Sequence, residues 1–338
     1  MAPTICLAPL KGVTDAIFRT TYAEFFGGVD WAITPFLTTG QGPRVKPHLL
    51  KQVLPENNRR MSVVPQIISK TAANFVLLAE ALFDLGYPAV NWNLGCPYPM
   101  VAKKGRGSGM LPNPDAVTAF LDHALAAIKN RLSIKMRLGR FRSDEIETLL
   151  PRLNDYPIEF IAIHPRTGIQ MYSGHPDLDA FENCLALTRH PVIYNGDIVC
   201  RADYERLQAR FPVIATWMIG RGVLMDPFLP SSIKWPLKGQ ENGLQCFRWF
   251  HDGLFEQYRG ALSGPSHLLD RMKGLWRYFS EGFQNGREIR KRIHKTTRIE
   301  HYLEVVHHFF DGQPKRLDRL SSGEIPACDC NDPFKSCY

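Results

Sequence analysis

Two glycine-containing turns carry the first chemical signal. Asn195-Gly196-Asp197 and Gly220-Arg221-Gly222 each follow a short apolar run. Glycine lets backbone N–H groups approach an anion, and Arg221 adds positive charge, so the pair is expected to hold a phosphate. Other apolar runs also end in or carry polar residues: Pro9-Leu10-Lys11-Gly12, Gln66, Asn93-Leu94-Gly95-Cys96-Pro97, Lys135 with Arg137, and His164-Pro165-Arg166-Thr167. A single polar run end is ordinarily structural, but seven of them imply a site. With a phosphate at Gly196 and Gly220, Gln66 and Lys135 are expected to meet the edge of a ring system. A lysine there stabilises an anionic reduced flavin, so the set fits FMN.

The elements that must position these residues are strands. Candidates are Ile5–Leu10, Trp31–Phe36, Val63–Ile68, Ala89–Gly95, Ser133–Leu138, Phe160–Pro165, Val192–Asp197 and Thr216–Gly220. Several are near-continuous apolar runs, as strands buried on both faces are. Helical patterns lie between them at Ala72–Leu85, Pro114–Lys129, Asp144–Leu153 and Ala202–Arg210, with Asn113-Pro114 and Ser143-Asp144 suited to helix starts. Eight β-then-α units in about 225 residues predict an α/β fold, a (β/α)8 TIM barrel. In such a barrel the active site lies at the C-terminal strand ends, where the polar residues above converge. No Gly-x-Gly-x-x-Gly follows an early strand, and Gly105–Gly109 lacks a Walker lysine, so neither nucleotide-binding loop is supported.

Beyond Trp235-Pro236 the pattern turns helical, with Leu268, Met272, Leu275 and Phe279, then Ile289 and Ile293, at helical spacing. The expected division is a barrel over 1–238, a smaller all-helical domain over 239–312 and a flexible tail over 313–338. With 44% hydrophobic and 22% charged residues among 338, the chain is not a disordered one. Its apolar runs fall short of the roughly 20 residues of a membrane span. No basic segment precedes Ile5-Cys6-Leu7, so no secretory signal is read and a cytoplasmic protein is expected. Eight cysteines are too sparse for a disulfide scaffold, and Cys328-Asp329-Cys330 with Cys337 has no evident fourth ligand, so no metal site is expected. The net charge of +8 is uneven: segments 101–142 and 271–298 each carry +7 and the remainder −6. Such concentration suggests a polyanionic partner, the plainer alternative being two solvated basic faces.

Five stretches in this order resemble the motifs of the tRNA-dihydrouridine synthases. They are Ala8–Asp15 with Phe18-Arg19; Asn93–Pro97 with Val101 and Gly105–Leu111; His164, Arg166-Thr167, Gln170 and Tyr172; Asn195–Ile198; and Met218–Gly222. The resemblance covers roughly residues 5–230. Arg271, Lys273, Trp276 and Tyr278-Phe279 resemble, more weakly, the tRNA-recognition domain of the family's DusC branch. The resemblance implies FMN as cofactor, NADPH as reductant, tRNA as partner, and reduction of the C5=C6 bond of a D-loop uridine, position 16 on the DusC-like reading. It implies no membrane and no obligatory protein partner. On it, Cys96 supplies the proton to C5. Pro9, Leu10, Lys11, Gln66, Lys135, His164, Asn195, Gly196, Asp197, Gly220 and Arg221 hold the cofactor. Asn93 and Arg166 meet the extruded uracil, Lys103, Lys104 and Arg106 the adjoining phosphates, and Arg271, Lys273 and Arg277 the tRNA body.

The chain departs from the family pattern at three points. Leu10 stands where methionine is more usual, Lys11 is unusual in its motif, and Pro165 removes a backbone donor from the sixth-strand motif. Two other readings compete. A flavin barrel that reduces a free pyrimidine or enone keeps the phosphate turns but has no need of a basic helical domain. A non-catalytic RNA-binding barrel has no need of Cys96.

Overall fold

Alternation along the strands builds the architecture. In Ala89–Leu94, Val90, Trp92 and Leu94 join the apolar layer beneath the helices, while Asn91 and Asn93 hydrogen-bond to other side chains on the opposite face. The computed structural model describes residues 2–40, 42, 44–235 and 242–317. The strands are β1 (Thr4–Leu7), β2 (Trp31–Ile33, resumed at Leu37–Thr38), β3 (Ser62–Val64 and Gln66–Ile68), β4 (Ala89–Leu94), β5 (Arg131–Gly139), β6 (Ile158–Thr167), β7 (Val192–Asn195) and β8 (Thr216–Ile219). All pairs are parallel, neighbours in sequence are neighbours in space, and β8 returns to pair with β1.

The circuit closes through β3. Its first half pairs with β2 and its second half with β4. Pro65 divides the halves, and its carbonyl accepts from the N–H of Asn91 at 2.9 Å, so the ladder continues across the break. The expected (β/α)8 barrel is therefore present, with two strands interrupted that the apolar runs suggest are continuous. β6, in contrast, runs on through Pro165 to Thr167. Arg137 pairs with His164 but Gly139 with Thr167, a bulge that absorbs the proline lacking a ladder donor.

Apolar residues fill the barrel floor. Cys6, Ala8, Ile33, Ala162, Ile193 and Met218 form one packed inner cluster. Register carries the polar row upward from it: Asn93, Lys135 and Ala162 are lateral partners, and so are Arg137 and His164 one step nearer the C-terminal end. The helices Gly243–Ala261, Pro265–Phe279, Gly286–Lys295 and Ile299–Asp311 follow the barrel. They bury the apolar positions expected of them, Leu268, Met272, Leu275, Phe279, Ile289 and Ile293. These helices dock on the first barrel helix, Ala16–Phe25. Phe250 stands edge-on to Phe18 (5.8 Å between centroids) and Phe26 (5.0 Å). Tyr258 donates to the Asp15 carboxylate at 2.8 Å, and Asp15 also caps that helix at Phe18 N. The expected boundary at 238 lies in 236–241, outside the described residues, as do Cys328, Cys330, Cys337 and the chain beyond 317.

Candidate active site

The barrel mouth is floored by a line of fixed amides. Asn93 Nδ2 donates to Gln66 Oε1 (2.7 Å), Gln66 Nε2 to Asn91 Oδ1 (2.7 Å), Asn91 Nδ2 to Ser133 Oγ (2.9 Å), and Ser133 Oγ to the carbonyl of Val90 (3.2 Å). Each link fixes which end of the next amide is donor and which is acceptor. The line ends on the chain that follows β4, where Asn93 Oδ1 accepts from the N–H of Cys96 (2.8 Å) and of Gly95 (3.1 Å). Asn93 thus folds the turn that places Cys96.

Cys96 is 6% exposed, packed with Phe36 and Ile68 and covered by Tyr98 and Val101. Ser108 donates to its carbonyl through both N (3.1 Å) and Oγ (3.0 Å). Gly107 makes this closure possible. It sits at φ +57°, and a Cβ there would lie 2.8 Å from that of Cys96. Burial pushes the thiol pKa up, against smaller downward pulls from the Tyr98 backbone N–H, Arg137, Lys11 and Lys135. The sulfur therefore carries its proton at neutral pH and faces cations that favour its loss to an acceptor.

Those cations line the mouth. Desolvation, and then repulsion from Arg137, lowers Lys135 to about 7. Its ammonium has no hydrogen-bond or ion-pair partner among the described residues. Burial lowers Arg137 to about 10; its Nη1 donates to the Thr167 carbonyl at 2.7 Å. His164 is held neutral, well below the usual imidazole range, by burial and then by Arg137, Lys135, Arg166 and Arg221. Its Nε2 lies 3.1 Å from Arg166 Nη1, which can only donate, so that nitrogen is the acceptor and Nδ1 carries the hydrogen. Arg166, 1% exposed, has every N–H engaged. Besides His164 it reaches Asp197 (3.0 and 2.5 Å), Gly174 O (2.6 Å) and Ser173 O (3.3 Å). Asp197 also accepts from Arg221 at 2.6 Å. Its burial pushes the carboxyl up, but the two guanidinium groups outweigh this and hold it below the usual range. Tyr172 lies between Arg137 (5.3 Å) and Arg221 (5.2 Å).

Most of the expected residues meet here. Leu10 lies against Gly220, Lys11 Nζ stands 5.0 Å over the Phe36 ring beside Cys96, and Asn195 Nδ2 donates to Met218 O. Pro9 lies between Leu10 and the end of β1. The turn glycines have a packing reason of their own. A Cβ at Gly196 would meet the Tyr194 hydroxyl at 2.8 Å, and one at Gly220 would meet Ala8 Cβ at 3.3 Å. Lys103 and Lys104 are exposed on the Cys96 loop, and Arg106 has a buried Nε with no partner among the described residues. The helical cations are elsewhere. Arg271 donates to Gly12 O and pairs with Asp15 at 3.3 Å, joining bundle to barrel. Lys273 caps the end of a neighbouring helix through Thr296 O at 2.5 Å. Arg277 lies one turn further along the Lys273 helix, close enough to act electrostatically on His294. Sequence reasoning missed Arg140, whose Nη1 donates to Pro97 O (3.0 Å) and braces the Cys96 loop; no motif marks it.

A closed parallel barrel whose C-terminal rim gathers cations, fixed amides and a protonated thiol defines a TIM-barrel enzyme. The dihydrouridine synthase (Dus) family matches residues 6–311, and the chain belongs to that family. It is 28% identical over 264 residues to a probable tRNA-dihydrouridine synthase of Rhodobacter capsulatus, covering 77% of this chain and 80% of that one. It is 28% identical over 326 residues to probable tRNA-dihydrouridine synthase 2 of Bacillus subtilis, covering 94% and 96%. Among solved structures, histamine dehydrogenase from Rhizobium sp. 4-9 aligns with TM-score 0.51 at 10% identity, over 68% of this chain and 45% of that longer one. An old yellow enzyme homologue from Zymomonas mobilis aligns with TM-score 0.51 at 11% identity, over 69% and 89%. At such identities the likeness is one of fold. Among the described residues no helix is long and apolar enough to cross a membrane, and no cluster of three or more potential metal ligands occurs.

Proposed function

We propose that the protein reduces the C5=C6 bond of a D-loop uridine in tRNA to 5,6-dihydrouridine in the cytoplasm, with FMN as cofactor and NADPH as reductant. The observation that carries this reading is the buried Cys96 side chain at a barrel mouth lined by Lys11, Lys135 and Arg137. An anionic flavin nucleotide fits such a mouth. Lys11, Lys135, Arg137 and Arg221 face it, and Asp197 is already shared between two arginines. Lys135, Gln66, His164, Asn195, Arg221 and the turns at Gly196 and Gly220 would hold the cofactor, with Pro9, Leu10 and Lys11 lining it. When bound, FMN would supply hydride chemistry toward C6 of the base, with NADPH as the source of the hydride.

Cys96 gives its proton to C5, and the thiolate left behind is stabilised by Lys11, Lys135 and Arg137. Asn93 fixes the Cys96 turn and keeps one amide hydrogen for a uracil carbonyl. Arg166 acts through Asp197 and His164, because a direct contact with uracil would break a bond it already makes. The target base must leave its stack to reach this depth, and a single-stranded loop permits that. Lys103, Lys104 and Arg106 take adjoining phosphates. On the helices, the exposed cations of Gly286–Lys295 are better placed than Arg271 or Lys273 to meet the tRNA body. The DusC-like features of Pro265–Phe279 favour position 16.

The test incubates the purified protein with NADPH and tRNA lacking dihydrouridine, followed by nuclease digestion and mass spectrometry. A gain of two hydrogens at one D-loop uridine is expected. NADPH oxidation with bound FMN but no gain in tRNA would move the activity to a free pyrimidine or enone.

A further inference from the structure

We propose that Phe141 is a stacking platform for an unpaired nucleobase next to the reduced uridine. The inference rests on the tRNA reading above and names how the RNA loop is held. Phe141 is 58% exposed on the loop that follows β5. Its backbone is pinned, because the Glu145 carboxylate accepts from the N–H groups of Arg140 (2.7 Å), Phe141 (2.9 Å) and Arg142 (2.9 Å). Arg140 ties this loop to the Cys96 loop through Pro97 O and, at 3.4 Å, through the Ser108 hydroxyl that itself clamps Cys96. The N–H of Ile169 donates to Arg140 O at 3.0 Å and draws in the loop after β6. Three joined rim loops thus each leave an apolar side chain in solvent: Met100 at 59%, Phe141, and Ile169 at 57%.

The charge around this patch selects the occupant. The Arg140 guanidinium lies 5.7 Å from the Phe141 ring centroid, and Lys103 and Lys104 are exposed on the neighbouring loop. An exposed ring on a pinned backbone, with a guanidinium beside it and lysines on the adjoining loop, suits single-stranded nucleic acid, whose bases stack while its phosphates meet the charges. An apolar protein face would have to desolvate those cations. The rigid link from Phe141 through Arg140 to the Cys96 loop means that a base stacked here sets the reach of its neighbour into the mouth.

The experiment compares full-length holoenzyme, wild type against Phe141→Ala, Phe141→Leu and Phe141→Trp, for tRNA affinity and steady-state reduction. Crosslinking to 5-iodouridine placed in turn on either side of the reduced position accompanies it. Expected are about tenfold weaker binding and a matching rise in KM for Ala and Leu, retention for Trp, and a Phe141 crosslink at one flanking position. Wild-type affinity in the Leu variant, or no crosslink, overturns the proposal. So does loss of a protein partner with tRNA affinity intact, which would make the patch a protein contact. If wild type forms no dihydrouridine in tRNA, the underlying reading fails. If wild type does and Phe141→Leu behaves identically, only the platform fails.

Discussion

At the scale of single residues, two groups at the mouth have opposite tasks. Cys96 must keep a proton until a base is present, and burial does this by raising the thiol. Cys96→Ala is expected to retain FMN, seen in the absorbance of the purified protein, and to lose about 10²- to 10⁴-fold in turnover on tRNA. An unchanged rate would remove Cys96 from the chemistry. Lys135 has the reverse problem, a cation lowered to about 7 by desolvation and by Arg137. Its unfolded value is near the ordinary lysine value, so between about 7 and 10.5 the unfolded chain binds more protons than the folded one. Stability of the cofactor-free protein therefore rises with pH through that window, and this contribution is lost as pH falls to 7. His164, also lowered, costs further stability as pH drops through the usual imidazole range. Lys135→Met is expected to flatten the rise by about 2 kcal/mol between pH 7 and 9, measured by urea unfolding at each pH. An equal slope in wild type and variant would show that the ammonium is solvated.

At the scale of elements, the mouth is held by links between strands. Asp197 follows β7, Arg166 ends β6 and Arg221 follows β8, so one carboxylate locks three strand ends. Asp197→Asn leaves two guanidinium groups without their counter-charge, and a loss of about 3–5 kcal/mol in unfolding free energy is expected. A loss under about 1 kcal/mol would mean the arginines find other partners. How much the sequence disclosed follows the same division. The eight strands were legible because each is a short, largely apolar run, and the mouth residues because they end or interrupt seven of those runs. Closure through a strand divided at Pro65 was not, since a run such as Val63–Ile68 does not show which half pairs with which neighbour. Nor was the brace role of Arg166, whose carboxylate lies 31 residues away. The glycines at 196 and 220 were readable as special positions, but the reason includes Tyr194 and Ala8, which only the fold brings near.

At the scale of the whole molecule, a charged stretch of sequence is not a charged face. Segment 101–142 places Arg131 against Glu159, Arg142 against Asp144, and Lys135 and Arg137 inside the barrel. The exposed remainder at the mouth is Lys103 and Lys104. In 271–298 the first cations are structural, and Arg287, Lys291, Arg292 and Lys295 stay exposed on a helix whose apolar side, Ile289 and Ile293, is buried against the bundle. The two groups should respond differently to mutation. Replacing Arg287, Lys291, Arg292 and Lys295 by glutamine is expected to weaken tRNA binding, lowering the slope of log Kd against log salt by roughly 0.7–0.9 for each phosphate no longer neutralised, with the melting temperature almost unchanged. Arg271→Ala should do the reverse. It releases Gly12 O and removes the ion pair with Asp15 at the junction of bundle and barrel, so unfolding becomes easier while the salt slope of tRNA binding is retained. If instead the four-glutamine variant binds with the wild-type slope and Arg271→Ala lowers it, the RNA runs across the bundle–barrel junction, and the exposed helix is a solvated face.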